Sequence, residues 1–147
     1  MLPLPVTEAE IDGFLADFES CALPKERWTH AAHIFTGACC VHRLGEDMAI
    51  DHMRVAIRRY NEAVGGKNTA TNGYHETVTI FWIKLLAAFR ANEPRLSRAE
   101  FAARAVQAFE HRRDLFVDFY DFDVVASTEA RLAWIPPGLK TIEPANL

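Results

Sequence analysis

The stretch YHETVTIFWIKLLAAFRA, residues 74 to 91, constrains the fold more than any other part of the chain. Set on a helix of 3.6 residues per turn, Val78, Phe81, Trp82, Ile83, Leu85, Leu86 and Phe89 leave almost no polar face. Such a helix is stable only when other elements cover it on most sides. Lys84 interrupts the run, and its apolar length is too short to span a bilayer, so the cover must come from the chain itself.

The covering elements also read as helices. Thr7 to Glu10 has the form of a capping box and is followed by Ile11, Phe14, Leu15 and Phe18 at helical spacing, predicting a helix over about 7–20. Pro24 separates it from a second over about 29–44, closed by Gly45. A third, about 46–64, carries Ile50, Met53, Ile57, Tyr60 and Val64 on one stripe and stops at Gly65-Gly66. The loop GGKNTATNG (65–73) leads into the apolar helix. Ser97 to Glu100 is a second capping box, opening a helix to about 112. The aromatic run 114–127 fits either a short helix or an extended segment. Ser127 then caps a short last helix, TEARLAW, ended by Pro136-Pro137. The expectation is a single all-α domain over 1–147, a bundle of about five to six helices.

Charge and cysteine content narrow the setting. The formal net charge of −4 offers no overall basic field for nucleic acid. RVAIRRY (54–60) is the richest basic stretch, but Asp51 and Glu62 stand at helical spacing from Arg54 and Arg58, as on an ion-paired exposed face. Three cysteines, two of them the adjacent Cys39 and Cys40, do not resemble a disulfide framework. The N-terminal residues lack the pattern of a signal peptide. A cytoplasmic protein is expected, acting on a small molecule, with neither membrane nor nucleic acid as partner and the oligomeric state open.

The histidines are the candidate chemistry. In WTHAAH (28–33), His30 and His33 are three apart, about 60° around the axis, on the same arc as Ile34, Gly37 and Val41. His75 follows Asn72-Gly73 at the start of the fourth helix. The positive end of a helix dipole disfavours imidazolium, so all three are expected neutral, the form that binds metal or acts as a base. The expected site gathers His30, His33 and His75 around a divalent transition metal (zinc, iron, copper or nickel), with metal-assisted hydrolysis or oxidation as its chemistry. Glu76 points about 100° away from His75 and is cast as a base or as an orienter of a ligand histidine, with Tyr74 lining the same pocket. The alternatives are a metal-free His/Glu pocket, in a binding or sensor domain where the histidines and Arg131 hold an anion, and histidines that only satisfy core carbonyls. His42 faces away, His52 flanks the third helix's stripe, Cys40 is a core residue, and His111, Asp114, Asp118 and Asp121 have the spacing to hold a metal but read rather as a solvated acidic face.

RWTHAAH, NTATNGYHETVT and STEARLAW, in that order, resemble an uncharacterised family of small bacterial proteins with W-T-H-x-x-H, N-T-x-x-x-G-Y-H-E-T-x-T and S-x-x-A-R-x-x-W motifs. The resemblance spans about residues 10 to 137. It implies that Trp28, His30, His33, Tyr74, His75, Glu76, Thr77 and Arg131 matter, and it implies no reaction. The chain departs from the pattern where YDFD stands in place of Tyr-Ser and IPPGL in place of Pro-Asp.

Overall fold

The computed structural model describes residues 3–147 and is all-helical, without a strand among the described residues. The helices are α1 (Glu8–Glu19), α2 (His30–Leu44), α3 (Glu46–Ala63), α4 (Glu76–Asn92), α5 (Arg98–Phe109) and the short α6 (Thr128–Leu132). Local caps set most of the starts. The Thr7/Glu10 and Ser97/Glu100 boxes are both formed, and the hydroxyls of Thr29 and Ser127 accept from Ala32 N and Ala130 N to open α2 and α6. No helix is long and apolar enough to cross a membrane among the described residues.

Burial is shared between two helices rather than concentrated in α4. α2 is buried without a break from Ile34 to Val41 and packs against α3, α4 and α5. Small residues make this possible. A methyl group on Gly37 would lie 3.0 Å from Leu86 Cδ1 and 3.3 Å from Ile83 Cδ1, so α2 and α4 approach as closely as their side chains permit. α4 contributes Ile80, Phe81, Ile83, Leu85 and Leu86 to the same core.

The aromatic run that sequence pattern left ambiguous is neither a full helix nor a strand. Leu115–Asp118 is one 3₁₀ turn, and irregular chain follows it. Phe119 meets the buried Phe81 ring edge-on at 5.2 Å, and the Tyr120 hydroxyl donates to the Ile135 carbonyl at 2.7 Å. This segment therefore lies over α4, completing the cover that the apolar helix requires. α5 stops at Phe109, three residues short of the expected end, and α6 ends at Leu132.

Candidate functional site

Thr29, itself extended and two residues past a 3₁₀ turn at Lys25–Arg27, caps α2, which places His30 at the first helical position and His33 one turn later. His33 Nδ1–H donates to the Thr29 carbonyl at 2.7 Å, and His30 Nε2–H donates to the Phe109 carbonyl at 3.1 Å. A carbonyl only accepts, so these bonds set the tautomers. His33 is left with a bare Nε2 and His30 with a bare Nδ1. Trp28 lies against the His33 ring, 3.9 Å between centroids, and stacks on Phe18 at 4.5 Å. Its buried indole N–H has no acceptor among the described residues.

Both imidazoles line a cavity of about 690 Å³ between α2, α3 and α4. Its walls are mainly apolar: Ile34 from α2, Met53 and Ile57 from α3, Val78, Trp82 and Ile83 from α4. Phe116 and Val125 close it from the C-terminal segment, with the exposed Arg113 and Asp114 also in the lining. Burial pushes His33 down to about 4, against the smaller opposing effect of its bond to Thr29, and His30 and Arg113 add like-charge repulsion. His30 is lowered by burial too, again opposed by its carbonyl bond and helped by Arg113. The pair is thus neutral near pH 7.

His75 is not part of this arrangement. It precedes α4 instead of lying within it and serves as its N-cap: Nδ1 accepts from Val78 N at 3.2 Å. Nε2–H donates to the Val124 carbonyl at 2.8 Å. Both ring nitrogens are occupied by main chain, and the ring does not line the cavity. The expected convergence of three histidines is therefore not formed, because His75 does the work usually given to an Asp or Asn cap. Among the described residues, no three or more His, Cys, Asp or Glu side chains are grouped to hold a metal ion.

Glu76 and Tyr74 are also set apart from His30 and His33. The Tyr74 hydroxyl donates to Glu76 Oε1 at 2.6 Å, and Arg54 Nε donates to both carboxylate oxygens at 3.0 and 3.1 Å. Burial alone would raise the Glu76 carboxyl, but the bonds from Arg54 and Tyr74 outweigh it and hold the group below the usual carboxylate range. Burial and the Glu76 charge push the Tyr74 hydroxyl up. A carboxylate so stabilised is a poor base. The expectation that Glu76 orients or serves a histidine site is replaced by a half-buried ion pair to α3. Arg54 keeps its expected partner Asp51 at 3.1 Å as well, whereas Arg58 lies over the Tyr74 ring.

The rest of the N-T-A-T-N-G-Y-H-E-T stretch is a clasp. Asn68 Oδ1 accepts from Tyr74 N at 2.9 Å, and its Nδ2 donates to the Arg58 carbonyl at 3.0 Å. Arg131 Nη1 donates to the Gly73 carbonyl at 2.7 Å, so it fixes the turn instead of facing the two histidines. Thr77 Oγ1 donates to the Ala133 carbonyl at 2.8 Å and accepts from Ile135 N at 3.0 Å. Together these bonds tie the start of α4 to α3 and to the C-terminal segment.

Of the remaining candidates only Asp114 reaches the cavity, at its exposed edge. His42 donates to the Leu96 carbonyl, His52 Nε2 pairs with Glu19 at 2.5 Å, and Cys40 is buried. His111, Asp114, Asp118 and Asp121 are exposed, as expected of a solvated face. Sequence reasoning missed the cavity walls. Val78, Trp82 and Leu86 recur every four residues and Met53 and Ile57 are four apart, but on apolar helices that spacing is also the signature of plain core. No family model, curated protein or solved structure matches the chain.

Proposed function

We propose that this protein binds a small, mostly apolar molecule in the cavity between α2, α3 and α4, with His30 and His33 reading its polar end. One observation carries the reading: a cavity of about 690 Å³ whose two imidazoles each keep a bare ring nitrogen. Its size falls within the range of small-molecule sites, and apolar walls with a few convergent polar groups are their usual composition. Three free cysteines fit a reducing cytoplasm as the place of action. A small molecule is the partner, not nucleic acid or a membrane.

A second reading keeps the metal. Histidines that ligate metal usually donate their other N–H to a carbonyl or carboxylate, as His30 and His33 both do. A divalent transition metal on their bare nitrogens, its remaining positions left to water and substrate, would support hydrolysis or oxidation of the bound molecule.

Calorimetric titration with indole, together with elemental analysis of untagged protein, separates the readings. On the ligand reading, indole binds wild type and fails to bind Val78→Trp, whose larger side chain fills the cavity. Stoichiometric metal lost in His33→Ala selects the second reading. Protein that takes up neither indole nor metal overturns both.

A further inference from the structure

We infer that the occupant of this cavity is an uncharged molecule with an N–H or O–H donor on an apolar ring or chain, held by that donor between His30 and His33. The inference rests on the ligand reading above and adds its chemical class. Both imidazoles spend their one N–H on a main-chain carbonyl, His33 on Thr29 and His30 on Phe109. What they offer the cavity is therefore two acceptors and no donor.

Three classes of polar end can be compared against that wall. A carboxylate or phosphate only accepts, so it would set lone pair against lone pair at both rings. Against that the lining offers, among the described residues, the unpaired but neutral Trp28 indole N–H and one cation, Arg113, which is exposed to water. An ammonium would donate, but it would leave water for a mainly apolar enclosure whose one carboxylate, Asp114, is exposed and already accompanied by the Arg113 guanidinium. A neutral N–H or O–H meets neither cost. It satisfies a bare nitrogen that a ligand filling the cavity would otherwise strip of water and leave unpaired, and that is the larger penalty.

The matched probes are 3-methylindole and 1-methylindole, isomers of one volume and nearly one polarity. Only the first has the donor. Wild type should bind 3-methylindole about tenfold more tightly, the effect of one buried hydrogen bond on a neutral acceptor. The preference should shrink in His33→Phe and in His30→Phe and vanish in the double variant. The wild-type comparison stands even if a variant fails to fold. Binding of the two isomers within about twofold of each other overturns the donor requirement while leaving the cavity reading intact. Failure of both isomers to bind overturns the inference and the reading beneath it.

Discussion

Replacing Gly73 with alanine should cost the protein about 3 kcal/mol of stability, a large fraction of what a domain of this size has. Gly73 sits at φ +79°, a conformation that side chains disfavour, and the space is filled as well. A Cβ there would stand 2.3 Å from the Lys67 carbonyl oxygen and 2.7 Å from Asn68 Oδ1. The first of these is backbone and cannot rotate away. Moving the turn would break the bond from Tyr74 N to Asn68 and the bond from Arg131 to the Gly73 carbonyl. Gly13→Ala is the contrast, since Gly13 lies within α1 and a methyl there meets nothing within 4 Å. It should stabilise by up to about 1 kcal/mol through helix propensity. Urea unfolding of the two variants checks both signs. A loss below about 1 kcal/mol for Gly73→Ala would mean that the clasp over α4 is not rigid.

His33 should make stability fall on acidification. Its ordinary value of 6.5 applies to the unfolded chain, whereas burial holds it at about 4 when folded. Within that window the unfolded chain binds the proton and the folded chain does not, so stability decreases as pH falls. Above the window neither state is protonated, below it both are, and the slope disappears. The full interval corresponds to about 3 kcal/mol, which the ring's residual solvent contact trims to about 2 kcal/mol. Ordinary carboxylates titrate toward the foot of this range, and Arg54 and Tyr74 hold Glu76 below them. Their contribution is common to wild type and His33→Gln and cancels in the difference between them. Across the window wild type should therefore lose about 2 kcal/mol relative to His33→Gln as the pH falls, read from melting curves of the two proteins. Parallel curves would mean that His33 is protonated as readily in the folded protein as in water.

How much of this was legible in the chain depends on the range of the interaction. Thr7 with Glu10, Ser97 with Glu100, and Ser127 act within three residues, and each helix start they announce is present. His75 misled because, read as part of the first turn of the fourth helix, its ring was expected to face the other two histidines, whereas it is the cap just before that turn. As cap, its ring nitrogens meet Val78 and the distant Val124, and spacing reveals only the first. Glu76 misled for the same reason. Arg54 lies 22 residues away, and nothing local distinguishes the carboxylate it anchors from one that complements a helix dipole. The pairing of His30 with His33 was readable because three residues of one helix suffice to define it. Their cavity was not, since Phe116 and Val125 reach it from a segment whose conformation depends on packing against Phe81 and Tyr120's bond to Ile135.

On the function proposed above, ligand chemistry belongs to His30 and His33, while His75 and Glu76 hold the fold. Heteronuclear NMR of the imidazole nitrogens tests it most directly, recorded near pH 7 with and without 3-methylindole. The expected spectrum of the free protein has His33 protonated on Nδ1 and bare on Nε2, and His30 protonated on Nε2 and bare on Nδ1. Addition of the probe should shift those two bare nitrogens and leave both nitrogens of His75 unchanged, because main chain already engages them. Shifts at His75 with none at His30 or His33 would contradict the account.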